Sequence, residues 1–219
     1  MYRIKDLFDL NETIAYELFD GKEYPWEVLT DIGEFVLKLG ALLSEDEFEH
    51  PTDDIWIHKS VSVAKTATLN GPLIIDAGTE VRPGAFIRGK VIVGKNCVVG
   101  NSTELKNVVL FNTVQVPHYN YVGDSILGTH SHMGAGSITS NVKSDKTLIV
   151  VKNGNEQIET GLKKMGAMLG DYVEVGCNSV LNPGTIIGRN SNIYPLSCVR
   201  GLIEENSIFK DKDNIVKKA

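Results

Sequence analysis

"IWIHKSVSVAKTATLNGPLIIDAGTEVRPGAFIRGKVIVGKNCVVGNSTELKNVVLF", Ile55 to Phe111, carries a large apolar residue at every sixth position from Ile57. The series is Ile57, Val63, Leu69, Ile75, Val81, Ile87, Val93, Val99, Leu105 and Phe111. Four residues after these stand Val61, Ala67, Leu73, Thr79, Ala85, Val91, Cys97, Thr103 and Val109, all small or medium, until Gln115 breaks the set. The beat returns as Leu169, Val175, Leu181, Ile187, Ile193 and Val199. Helices recur near 3.6 residues and ordinary strands at 2, so a period of six describes neither. It describes a solenoid of short strands and tight turns, the parallel β-helix of hexapeptide repeats. Three hexads make a triangular coil, and residues 18 apart stack ~4.8 Å apart along its axis. Coils of this repeat class wind left-handed, against the usual crossover rule.

The expected fold is therefore mainly β, a left-handed parallel β-helix over residues 55–208. Residues 1–50 read as a small helical segment, with Asn11 as a cap, Gly21 as a stop, Pro25 as an opener and Trp26, Leu29, Ile32, Phe35, Val36 and Leu39 at helical spacing. An open solenoid end exposes unpaired backbone, so this segment is expected to cap the first coil or to dock on a neighbour. The acidic "SEDEFEHPTDD" reads as a linker. "TLIVVKNGNEQIETGL" surrounds Asn153-Gly154, a hairpin signal, and predicts an insertion at about 144–165 that leaves the prism as an arm. Residues 209–219 read as a tail with one short strand and a basic end.

The chain's 219 residues, 42% of them apolar, suffice for one domain and an appendage. No apolar run approaches the roughly 20 residues that cross a bilayer, and "MYRIKDLFDL" lacks the features of a signal peptide, so a cytoplasmic location is expected. Cys97, Cys177 and Cys198 show no paired spacing and are expected to be free thiols. A net charge of -6 without a basic block argues against a nucleic-acid partner.

"VPHYNYVGDS", Val116 to Ser125, interrupts the beat. Phe111 to Leu127 spans sixteen residues where three hexads need eighteen, which predicts two residues lost within a single coil. Such a distortion needs local support, and it sets His118 in an irregular corner where a side chain can be aimed at a ligand. On the eighteen-residue ruler Gly100 lies beneath His118, and Arg88 stacks on Lys106. Two cations at that spacing repel unless an anion sits between them, and Arg with Lys suits a phosphate. The bland readings are two unrelated surface cations and a structural histidine.

"AFIRGKVIVGKNCVVGNSTELKN", "VPHYNYVGDSILG" and "MGAGSITSN" resemble the acetyltransferase domain of the bifunctional N-acetylglucosamine-1-phosphate uridyltransferase/glucosamine-1-phosphate acetyltransferase enzymes and their archaeal sugar-1-phosphate relatives. The resemblance covers roughly residues 57–200. It does not extend to the N-terminal helices, and the Gly-rich loop of the uridyltransferase is not in this sequence, so nucleotide-sugar synthesis by this chain alone is not expected.

The resemblance implies an acetyl-CoA-dependent N-acetyltransferase acting on an amino-sugar phosphate such as glucosamine 1-phosphate, working as a homotrimer with sites between subunits and without a tightly bound metal. His118 would be the general base, its imidazole well matched to neutral pH. Arg88, Lys106 and Tyr121 would hold the sugar phosphate, and Asn141 would help orient substrate or acetyl group. The Ala135 N–H would face the acetyl carbonyl and stabilise the oxyanion; the ruler puts Ala135 about one coil above His118. Cys177 stands where the family often has Ser near the coenzyme. The family's C-terminal arginine is missing, leaving Lys210 or Lys212 to meet the coenzyme phosphates. Glu104 is a weaker candidate for orienting the histidine. His132 replaces the usual Asn before the Gly-Ala-Gly motif, which leaves the acceptor open.

Lys106 and His118 fall on different corners of one prism, a second reason to expect a site completed by another chain. Two other readings remain. Hexapeptide prisms also host carbonic-anhydrase-like metal enzymes, and His118, His130 and His132 are close in sequence, although the last two are two apart where that family has five. The prism would alternatively be a non-catalytic trimeric partner of a nucleotidyltransferase.

Overall fold

The structure is a computed structural model that describes residues 1–218; Ala219, the last residue of the expected tail, lies outside them. From Ile55 onward the sixth-position residues point inward and stack in three columns, one per face of a left-handed parallel β-helix. The first face stacks Ile57, Ile75, Val93, Leu110, Leu127, Leu169, Ile187 and Ile203. The second stacks Val63, Val81, Val99, Val116, Met133, Val175, Ile193 and Phe209. The third stacks Leu69, Ile87, Leu105, Val122, Thr139, Leu181 and Val199.

The register corrects two expectations. Leu110, not Phe111, pairs with Val93 below and Leu127 above, so the beat shortens one residue earlier than the apolar spacing suggests. One residue is lost in each of two successive coils, not two in one coil, and both losses fall where the third face turns into the first. There the strands Glu104–Leu110 and Tyr121–Leu127 run unbroken through the corner and pair with each other. Phe111 turns outward and is buried between Phe8 and Phe19, with ring centroids 5.1 and 5.8 Å away. An apolar residue at the predicted position thus serves a different surface.

That surface explains the N-terminal segment. On the first face the outward residues are also large and apolar: Trp56, Ile74, Ile92, Val109, Ile126, Met168, Ile186 and Leu202 stand in one ladder along the whole prism. All but Leu202 are buried. Such a stripe cannot face water without cost, roughly 25 cal/mol per Å² of apolar surface. Residues 1–47 run along this side wall rather than standing only over the first coil. The helix Ile32–Gly40 lies against it, and Gly40 is a glycine because a Cβ there would enter the Trp56 ring. The remainder is built of short turns, Ile4–Leu7, Leu10–Glu12, Tyr16–Phe19 and Pro25–Val28, and Asp9, not Asn11, supplies the capping oxygen, 3.0 Å from the Asn11 N–H. Short turns let Phe8, Phe19, Trp26 and Leu29 all bury on a flat ladder, which one continuous helix with a single apolar stripe cannot do.

The expected linker contains a strand, Phe48–Thr52, that pairs antiparallel with Ile55–His58 and covers the first coil's free edge on that face. The inserted hairpin forms as Val150–Asn153 and Glu156–Glu159, but it does not leave the prism. Ile149 and Val151 are fully buried, and a Cβ at Gly184 would sit 3.0 Å from Ile149. It folds back over the last coils. At the far end the chain makes two strands where one was expected: Ser207–Asp211 closes the second face and pairs antiparallel with Asn214–Lys217.

Candidate functional site

The corner between the second and third faces holds a vertical column. The carbonyls of Asn101, His118, Ala135 and Cys177 accept hydrogen bonds from Tyr119, Gly136, Asn178 and Leu196 on the coil above, at 2.8, 3.0, 2.8 and 2.9 Å. His118 is therefore stacked on Asn101, with Ala135 above it and Cys177 above that. Gly100 lies under Pro117, whose backbone a Cβ at Gly100 would strike, so the residue beneath His118 is Asn101 and not Gly100. The shortened coil moved the ruler by one.

His118 ends the strand Gln115–His118 and is exposed, its ring bonded to no described residue. Tyr119 takes the left-handed conformation with φ 53° to turn the corner. Asn120 holds that turn: its Oδ1 accepts the His118 N–H at 3.1 Å, and its amide donates to the Gly134 carbonyl at 2.9 Å and to Ser137 at 3.2 Å. Ala135 is half-buried, and its N–H has no acceptor among the described residues. Beside the column the strip is bare of side chains at Gly134 and Gly176, then reaches Tyr194 and Lys210 on the following coils. Lys210 thus ends that strip, one residue aside from the column. Lys212 does not; it sits at the tip of the end hairpin, 3.7 Å from Asp213.

The next corner, from third to first face, gathers Arg88, Lys106, Tyr121 and Asn141. Their charges are already met. Arg88 pairs with Glu104 at 2.7 Å, and that carboxylate holds the guanidinium further into its charged form. Lys106 lies 3.0 and 3.2 Å from the two oxygens of buried Asp124, which also accepts from Asn107 at 2.9 Å and from the Asn141 amide. Glu104 and Asp124 take the place of the anion that the stacked cations were expected to need, and Glu104 serves Arg88 rather than His118. Tyr121 links the corners. It begins its strand three residues after His118, lies over Gly123, and accepts from the Asn141 amide at 3.1 Å. Burial first, then the Asp124 charge, pushes the Tyr121 phenol above its ordinary range, so the hydroxyl keeps a hydrogen to donate.

His132 lies on the second face's outer surface, its Nδ1 2.8 Å from Glu174, away from Asn141. His130 stacks on Tyr172 at a centroid distance of 4.8 Å. The three histidines considered for a metal thus stand apart within the chain, and no group of three or more His, Cys, Asp or Glu converges among the described residues. Sequence reasoning missed Asn120, Asp124 and Asn107. Asp124 was visible as the last letter of H-x-x-Y-x-G-D, but a buried carboxylate's role depends on which cations fold over it.

The coils, the inward columns and the corner carrying the His118–Ala135–Cys177 column place the chain among the left-handed hexapeptide β-helix proteins. The chain belongs to the GMPPB C-terminal domain family, whose model matches residues 69–187. The bifunctional protein GlmU of Methanococcus maripaludis (strain DSM 14266) is 32% identical over 211 residues, covering 88% of this chain and 47% of that protein. The bifunctional sugar-1-phosphate nucleotidylyltransferase/acetyltransferase of Sulfurisphaera tokodaii is 28% identical over 192 residues, covering 85% and 47%. The chain spans about half the length of the curated relatives it matches. Among solved structures, the acetyltransferase domain of PglB from Neisseria gonorrhoeae in complex with acetyl coenzyme A aligns over 84% of this chain and 63% of that one, at 12% identity and a TM-score of 0.35. No helix among the described residues is long and apolar enough to cross a membrane.

Proposed function

We propose that this chain is an acetyl-CoA-dependent N-acetyltransferase whose acceptor is an amino-sugar phosphate of the glucosamine 1-phosphate class. The observation that carries the reading is the column of His118 beneath the unengaged Ala135 N–H. An acyl transfer needs a base near the nucleophile and a donor aimed at the developing oxyanion, and such a donor typically contributes about 3 kcal/mol. His118 takes a proton as the amine nitrogen attacks the thioester carbonyl. Ala135 N–H receives the negative charge on that oxygen. The C–S bond breaks, an amide is left, and the proton returns from His118 to the departing sulfur.

The bare strip at Gly134 and Gly176 suits an extended thioester arm, running past Cys177. From Pro117 through Gly134, Gly176 and Tyr194 to Lys210 is four strand spacings, about 19 Å at ~4.8 Å each. Lys210 is the cation at that distance for the coenzyme's phosphates, in preference to Lys212. The acceptor lies on the third face between the corners, over Tyr121. Its phosphate competes with Glu104 and Asp124 for Arg88 and Lys106, and the Tyr121 hydroxyl and Asn141 amide add donors. His132, tied to Glu174 on another face, reaches an acceptor only if it belongs to an adjoining chain.

The third face supports assembly of a homotrimer: Phe86, Tyr121, Ile138 and Val180 stand outward in its ladder, with Glu104 as its one charged member, where the second face carries Glu80, Gln115, His132 and Glu174 around Val98. The activity is tested by thiol release from acetyl-CoA against a panel of amino-sugar 1-phosphates and nucleotide-linked amino sugars. Release that needs one acceptor and drops at least a hundredfold in His118→Ala is expected. Release from no acceptor sinks the enzyme reading and favours a non-catalytic prism.

A further inference from the structure

The cleft between the inserted hairpin and the last coils has a charge pattern unlike the rest of the molecule. It measures about 550 Å³, within the range of small-ligand sites, and is walled by Lys143, Lys152 and Arg200 without a single Asp or Glu. Four other clefts on the molecule each include a carboxylate in their walls, Glu23, Glu49, Asp76 and Glu204 among them. In a chain with 28 acidic and 22 basic residues, three cations alone around a cavity are unusual. The side chains of Lys152 and Arg200 form no ion pair or hydrogen bond with any described residue, in contrast to Arg88 and Lys106. Lys143 is the partial exception, 3.5 Å from Asp145, which lies outside the cleft wall.

The fold builds this cleft. Glycines at 184 and 201, both with left-handed φ of 81° and 73°, let the hairpin strand approach the coils: a Cβ at Gly201 would lie 3.2 Å from the Lys152 carbonyl. Lys152 on the hairpin is thereby brought opposite Arg200 on the coil. Gln157 adds a neutral donor, and Val150, Pro183 and Leu202 give an apolar wall.

We propose that this cleft binds a diphosphate-bearing ligand of the nucleotide type, the phosphates between Lys152 and Arg200 and the base against Pro183 and Leu202. It lies on the third-to-first corner among the last coils, off the His118–Ala135–Cys177 column, and does not depend on the transfer reaction. With the coenzyme's phosphates placed at Lys210, the diphosphate here is that of a free nucleotide.

Calorimetric titration of the full chain with inorganic pyrophosphate, ADP and CoA tests the site and separates a free nucleotide from the coenzyme. Saturable ADP binding that weakens at least tenfold in Arg200→Gln and in Lys152→Gln, and is unchanged in Lys106→Gln, is expected for a free nucleotide. The same weakening seen with CoA and not with ADP would put the coenzyme's nucleotide end here instead of at Lys210 and overturns the proposal. Both lysine and arginine here are exposed, so the Gln variants should melt with the parent, and a matched melting temperature is the control. Pyrophosphate should compete with ADP. Absence of saturable binding by all three, binding insensitive to both Gln variants, or binding lost only in Lys106→Gln overturns the proposal.

Discussion

Asn120 uses its side chain in both directions, accepting from the His118 N–H and donating to the coil above. It is 2% exposed, so its loss leaves buried carbonyls unpaired as well as a freed corner. Asn120→Ala is expected to cost about 1–3 kcal/mol of stability. Under the proposed activity it also lowers kcat more than it raises KM, because the histidine loses its aim rather than its substrate. A variant with unchanged melting and kinetics would show that the corner holds itself. Cys97 gives a different test at this scale. Burial pushes its thiol from 9.0 up to about 12. The folded state keeps the proton while the unfolded chain gives it up, so the thiol's contribution is fully present below pH 9 and drains away between 9 and about 12. The stability difference between the parent and Cys97→Ala should therefore shrink with rising pH across that window, by at most about 1.4 kcal/mol per unit. A constant difference, followed by denaturant melts, would contradict this. Thiol reagents should modify exposed Cys177 and Cys198 in the native protein and spare Cys97.

Among the elements, the strands were the legible part, because inward positions on a six-residue beat leave a direct trace in the sequence. The register past Leu105 was not legible: Leu110 and Phe111 are both apolar, and only the presence of Phe8 and Phe19 decides which of them turns outward. The role of residues 1–47 was written in the triplets "LII", "VIV", "AML" and "TII", whose middle residues make no sense on a solvated face. Pairing those triplets with the apolar residues upstream required knowing that both lie on one wall. The candidate site followed the same division. The His118–Ala135 column could be counted along the chain, but the carboxylates answering Arg88 and Lys106 could not, since ion pairing depends on side-chain direction. The helix Ile32–Gly40 offers the sharpest test at this scale. Gly40→Ala drives a methyl into Trp56 and should cost about 1–3 kcal/mol, although alanine is the better helix former. A stabilised Gly40→Ala protein would mean that the helix is held elsewhere.

For the whole molecule, the question is whether one prism is a complete catalyst. The two corners face outward around the third face, and a homotrimer would close that face with a neighbour. If sites form between chains, mixing His118→Ala with Lys106→Ala protein after unfolding and refolding together should regain a substantial fraction of activity that neither has alone. Light scattering should report a mass of three chains. A fully active monomer removes the shared-site proposal and leaves the rest standing. The ends of the prism make a second test. Isolated solenoids unravel from their terminal coils, because each coil touches only its neighbours. Here the N-terminal segment binds coils from Trp56 to Glu205, so amide exchange in the terminal coils should be slowed nearly to the level of the centre. Removing residues 1–46 should expose the apolar ladder and cause aggregation.

The reach of that segment also constrains biosynthesis. The Tyr2 hydroxyl receives the Glu205 N–H at 2.7 Å, from a residue 203 positions further along the chain. A growing solenoid stacks its coils in the order they are made, yet its outer wall is sealed by the stretch translated before any of them. Until the last coil is out of the ribosome, the Tyr2 end has no place to dock and the upper ladder stays wet. Slow translation through the final coils would therefore prolong a sticky intermediate, and this protein should lean on chaperones more than a solenoid of equal length whose walls are polar.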